Sequence, residues 1–246
     1  MKENITIVQL RSTIFLQQNI GYTPENAEKF KVLLMPNAKA YSIPQPGMFL
    51  GINPDIPQYG MPWRLFEKSP EGGEYNIAFH PGKIDIVLAK EISYGNETEK
   101  EFLNKSTEWF SKILDTQGNT SATRIAYAPL YAIKNKEEDY NTVWGNFLKR
   151  TSFDGIKSQD INLSFLLKSY IKVGEKDIPM NFLHNIFDGN QIKNENGIQT
   201  LHKVLLFQLD LNSIPEENLN LNKEGINDFY NKIVEIKNKL VDNVTV

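Results

Sequence analysis

Cysteine is absent from the 246 residues. That excludes disulfides, thiolate nucleophiles and cysteine-held zinc or iron–sulfur centres. No run approaches the roughly 18 apolar residues of a membrane-spanning helix. Residues 1–8, MKENITIV, lack the basic-then-apolar layout of a secretory signal, so a cytoplasmic location is expected. Glycine-rich phosphate cradles are missing too: neither G-x-x-x-x-G-K-[ST] nor G-x-G-x-x-G occurs. Glu71-Gly72-Gly73-Glu74 sets its glycines between two acids, which would repel a phosphate, and it reads as a turn. There is no G-x-S-x-G elbow for a serine hydrolase. The three histidines, His80, His184 and His202, form no H-E-x-x-H or H-x-H pair. Each falls in or beside a strand-like run, where a structural role is preferred. Neither a cofactor nor a metal is expected.

Charge of one sign is also lacking. The net charge is −3, with acidic and basic residues mixed, so no whole-protein field points to nucleic acid. Arginine is scarce while asparagine, isoleucine and lysine abound. Triplets such as Asn96-Glu97-Thr98 then follow from asparagine abundance and are not read as glycosylation signals. Hydrophobic residues make up 40% and aromatics 11%, enough apolar surface to offset backbone ordering in a chain of this length.

Periodicity divides the chain into alternating strands and helices. Residues 5–17 read as a β-branched strand. Thr23-Pro24-Glu25 supplies an N-cap, a first-position proline and a first-turn acid for a helix that Pro36 stops. Six prolines between 36 and 62 exclude a helix or central strand there, leaving an extended loop with one short strand near Met48–Ile52. Strands at 63–67, 74–80 and 83–89 follow, the last two joined by a Pro81-Gly82 hairpin, and then a helix at 97–116 that Gly118 ends. The second half runs as a strand at 122–134, with Pro129 implying an edge or bulge, and a helix at 136–150. Strands at 161–173, 177–187 and 200–211 come next, before a helix at 223–242. Within the two late helices Glu108-Trp109-Phe110-Ser111-Lys112-Ile113-Leu114 is echoed by Asp228-Phe229-Tyr230-Asn231-Lys232-Ile233-Val234. The expected fold is therefore α+β: two pseudo-repeated halves, 1–118 and 119–246, each strand, helix, three strands, helix. Antiparallel sheets covered by helices are expected, with a boundary near Gln117–Ser121. The echoed aromatics are expected to be core anchors.

Acids offer little chemistry. Glu137-Glu138-Asp139 opens a helix and offsets its dipole. Asp85 in KIDIVLAK distantly echoes a nuclease strand, but Leu88 occupies the position of the second acid, and Asp210 in FQLDLN sits similarly. The aromatic and basic residues Tyr127, Tyr131, Lys134, Lys136 and Tyr140 could be read as a nucleic-acid surface, although aromatics at such spacing more often form core. The unusual segment is 41–66, poor in charge and rich in proline. Two readings stay open: a self-packed loop, or a partner-binding surface formed by Met48, Phe49, Tyr59, Met61, Trp63 and Arg64.

Arg124-Ile125-Ala126-Tyr127, the acid-bearing Leu209-Asp210-Leu211 and the amphipathic Ile226–Leu240 resemble a sporadically distributed, uncharacterised bacterial protein family over roughly residues 85–242. Where that family more often has Leu-Arg-Tyr, this chain has Ala126-Tyr127-Ala128. The family has no established activity, and its patchy distribution implies a mobile or defence-associated gene cassette. The leading expectation is a non-enzymatic binding or assembly protein that docks a protein partner, with self-association open. The alternatives are an acid-based, metal-dependent hydrolase or nuclease, and a nucleic-acid-binding protein using a groove between the halves.

Overall fold

The computed structural model describes residues 5–43, 56–69, 72–95, 97–118, 120–133, 162–195, 198–214 and 219–244. Strand β1 (Ile5–Phe15) leads to α1 (Pro24–Leu34), whose start is fixed by the Thr23 hydroxyl accepting the Asn26 N–H at 2.9 Å. Strand β2 (Lys39–Ser42) falls inside the proline-marked stretch, in the proline-free gap between Pro36 and Pro44. Among the described strands it lies at one end of the sheet and pairs with β3. The expected strand at 48–52 and helix at 136–150 lie outside the described residues.

Strands β3 (Trp63–Lys68), β4 (Glu74–His80) and β5 (Lys83–Ser93) form an antiparallel meander. The β4–β5 hairpin turns at Pro81-Gly82, where Gly82 takes a φ of +68° that a side chain would disfavour. Helix α2 (Thr98–Thr116) follows. The single strand expected at 122–134 is instead two, β6 (Arg124–Tyr127) and β7 (Leu130–Ile133). Pro129 sits in the break, so its missing N–H costs no ladder bond, and both short strands pair with β1 and β10 in the middle of the sheet. The sheet is completed by β8 (Asn162–Val173), β9 (Lys176–Glu195) and β10 (Ile198–Ser213). Asn222 then caps α3 (Lys223–Val244), its side-chain oxygen accepting the Gly225 N–H at 3.0 Å.

All ten described strands belong to one antiparallel sheet, ordered β2-β3-β4-β5-β1-β6-β10-β9-β8 with β7 bridging β1 and β10. The fold is thus mixed α+β, built on a large antiparallel sheet. From the middle outward, one side runs β1, β5, β4, β3, β2 and the other β6, β10, β9, β8.

The described helices share one face of this sheet. Phe30 of α1 meets Trp63 and Phe79, Trp109 of α2 meets Tyr75, and Tyr230 of α3 meets Tyr127. Strand residues of the opposite parity, among them Arg11, Arg64, Asp85 and Arg124, point to the other face. The echoed aromatics Trp109, Phe110, Phe229 and Tyr230 are all buried under the helix layer. Helices α2 and α3, which carry the echo, pack against each other.

Candidate functional sites

Two polar constellations stand out, one on each face of the sheet. On the helix side, α2 and α3 flank a cavity of about 590 Å³. Leu103 and Val234 give it apolar wall, Asn104, Asn231 and Asn238 give it amides, and Tyr94 closes one side, its hydroxyl donating to Asn238 Oδ1 at 3.1 Å. Glu99 and Lys237 also line this space, as a buried ion pair: Lys237 Nζ lies 2.6 Å from Glu99 Oε2, with Lys237 only 1% exposed. The second carboxylate oxygen accepts the Tyr127 hydroxyl at 2.5 Å. Lys237 also lies 5.1 Å from the centre of the Tyr94 ring. Burial, then the neighbouring Glu99 carboxylate, pushes the Tyr127 and Tyr131 phenols well above the ordinary tyrosine range, so both stay neutral and Tyr127 stays a donor. The buried Tyr131 and Ser106 hydroxyls have no hydrogen-bond partner. With the lysine and glutamate neutralising each other, the cavity suits neutral or zwitterionic groups better than a free anion.

Sequence reasoning passed over this pair, although a signal exists. Ile226, Tyr230, Ile233, Lys237 and Val241 are all buried and spaced by three or four residues, so Lys237 occupies a place in the apolar stripe of α3. Glu99 holds the equivalent kind of place on α2, one turn before Phe102 and Leu103. A charge at a core position of an amphipathic helix needs a partner, and each supplies the other's.

On the opposite face, which is helix-free among the described residues, Asp85 of β5 is buried and fully engaged. It accepts the Thr13 hydroxyl at 2.5 Å, lies 3.0 Å from Lys83 Nζ and lies 3.3 Å from His80 Nε2. Burial alone would raise its pKa, but the His80 and Thr13 hydrogen bonds and the Lys83 charge outweigh it and bring it down to about 2. A carboxylate held this way is a structural acceptor. Asp210 likewise accepts the Asn212 amide at 3.2 Å. Among the described residues, no three His, Asp or Glu side chains gather where a metal ion could be held. His184 is buried beside Phe207, and burial lowers its pKa, which keeps the ring neutral.

The residues singled out in the proline-rich segment separate. Trp63 is fully buried: it stacks on Phe79 at 4.3 Å, and its indole N–H donates to the Ile20 carbonyl at 3.1 Å. It is a core anchor and presents no surface to a partner. Arg64, one residue on, points to the opposite face and lies 5.8 Å from the centre of the Tyr41 ring. Tyr59 is 79% exposed and the nearby Ile56 62%, while Met61 is half-buried. Met48 and Phe49 lie outside the described residues. The backbone of this turn is pinned to the start of α1, Tyr22 N–H donating to the Met61 carbonyl at 3.0 Å and Gly60 N–H to the Tyr22 carbonyl at 2.7 Å. Gly21 makes the contact feasible, since a Cβ there would lie 2.7 Å from the Gly60 carbonyl oxygen.

No protein-family model, curated protein or solved structure matches the chain. Among the described residues, no helix is long and apolar enough to cross a membrane.

Proposed function

We propose that this chain is a non-enzymatic binding or assembly protein that docks a protein partner through the turn at 56–61. The observation that carries the reading is Tyr59, 79% exposed on a turn whose backbone is tied to Tyr22 on both sides of Gly60. An aromatic held outward on a fixed backbone loses little entropy on binding and is the residue type that anchors interfaces. Ile56 adds apolar area beside it, and Trp63 serves the site indirectly by fixing the base of the loop in the core. In this reading the body consists of two pseudo-repeated halves, 1–118 and 119–246. The outward strand orders about β1 and β6, which match as far as β3 and β8 and leave β2 without a described counterpart, support that view, as do the echo-bearing helices packing on one another. The family resemblance adds a context, a cytoplasmic accessory component of a bacterial mobile or defence-associated cassette.

A photo-crosslinking amino acid placed at Tyr59 should yield one discrete adduct in cells, abolished by Ile56→Asp. The same probe at Val32, 67% exposed on α1, should yield none. Equal labelling from both positions, or none from either, would reject the docking turn. The acid-based alternative has less behind it, because both candidate carboxylates already serve as acceptors within the fold.

A further inference from the structure

The chain holds four arginines among its 27 cationic side chains. Three of them, Arg11, Arg64 and Arg124, lie in described strands, and all three point to the face opposite the described helices. The strand register places them. One row across the sheet reads Tyr41, Arg64, Ala78, Asp85, Thr13, Ala126, Asn212, Asn181, Lys168. The row on one side carries Phe66, Asn76, Val87 and Arg11; the row on the other carries His80, Lys83, Phe15 and Arg124. Within this central patch Arg11, Arg64, Lys83 and Arg124 face two carboxylates, Asp85 and, two residues along β10 from Asn212, Asp210, in a protein whose net charge is −3. The patch is therefore positive against the rest of the molecule.

Three features give the patch a chemistry. First, the arginines cannot share one phosphate. Arg64 lies three strands from β1, about 14 Å at ordinary strand spacing, and Arg11 is four residues out of register with Arg124, about 13 Å along the strand. A small anion would be met by one of them; an extended polyanion would meet all three. Second, aromatic rings are interleaved with the cations: the Arg124 guanidinium lies 4.3 Å from the centre of the Phe15 ring, and Tyr41 packs edge-on against Phe66 beside Arg64. Guanidinium planes and aromatic rings are the surfaces on which unpaired bases stack. Third, buried hydrogen-bonding atoms on this face lack partners: Arg64 Nε, Asn76 Oδ1 and Asn181 Oδ1. Alanines at 78 and 126 keep the middle row low, so the surface between the arginines is flat.

We propose that this sheet face, opposite the described helices, binds single-stranded nucleic acid, its phosphates tracking Arg64, Arg11 and Arg124 and its bases lying over the rows between them. The site is separate from the Tyr59 turn and stands or falls independently of it.

Fluorescence anisotropy of the full chain with a labelled 15-nucleotide oligo(U), an oligo(dT) of equal length and a duplex tests this. Single strands should bind more tightly than the duplex, and the two single strands together show whether the 2′-hydroxyl matters. Affinity should fall log-linearly with salt, and Arg64→Gln should make that slope shallower by about 0.7, the value for one lost single-strand phosphate contact. Arg64 is the informative position because its Nε makes no hydrogen bond in the fold, and a thermal melt of the variant beside the parent separates loss of the Tyr41 ring contact from loss of binding. Arg11→Gln should reproduce the effect, and Lys232→Gln, on the helix side, should leave the slope unchanged. No binding at low salt would overturn the proposal. So would equal affinity for the duplex, full competition by inorganic polyphosphate, or a slope that Arg64→Gln does not move.

Discussion

At the scale of single residues, the two faces of the sheet use buried charge in opposite ways. Lys237 and Glu99 are a buried pair in the helix layer, and removing one partner leaves the other without its counter-charge. Lys237→Met should therefore cost about 3 kcal/mol, read from urea denaturation. The double variant Glu99→Leu/Lys237→Met should recover part of that, because two apolar residues need no counter-charge while the buried Tyr127 hydroxyl still loses its acceptor. Additive losses in the double variant would mean that the pair matters for something other than charge neutralisation. Asp85 sets a pH signature. Its pKa is about 2 in the fold and close to 3.9 in the unfolded chain. The unfolded state therefore takes up the proton first on acidification. The stabilisation, about 2.5 kcal/mol, is complete above pH 4 and disappears as the pH falls toward 2. Asp85→Asn should remove it at neutral pH and flatten the stability profile in that window, which chemical denaturation at a series of pH values would show.

At the scale of elements, the 56–66 stretch mixes two kinds of residue that sequence treats alike. Trp63→Ala should destabilise by about 4 kcal/mol, since it empties a stacked core site and strands the Ile20 carbonyl. Tyr59→Ala should stay within about 0.5 kcal/mol of the parent, as a surface change away from packing does. Thermal melts of the two variants separate the core role from the surface role. The same pattern recurs elsewhere. Helix bounds read from Thr23-Pro24 and from Gly118 fall close to α1 and α2, because caps and stops are local chemistry. The strand at Lys39–Ser42 escaped notice because pairing with β3 comes from a segment more than twenty residues away. Splitting of 122–134 into β6 and β7 was half legible: Pro129 marked the break, but proline statistics pointed to an edge, and the sheet placed the break at its centre.

At the scale of the whole molecule, β1 and the β6–β7 pair form the join on which the continuous sheet depends. Residues 1–118 alone would leave one side of β1 as an unpaired, largely apolar edge, and 119–246 alone would do the same for β6 and β7. Each fragment should associate or aggregate when expressed by itself, and co-expression should restore a soluble complex. Size-exclusion chromatography decides this; two well-folded monomeric fragments would show that the join contributes little.

Local chemistry in the sequence determined the caps, the Pro81-Gly82 hairpin, the amphipathic stripes and the burial of the echoed aromatics, because each depends on neighbours a few residues away. Tertiary structure alone decided that the strands form one sheet, that Glu99 meets Lys237 across 138 positions, and that the three described arginines share a face. Those outcomes rest on strand order and register. A shift of one residue sends every side chain to the opposite face, and no single segment of the chain specifies its register without the strand beside it.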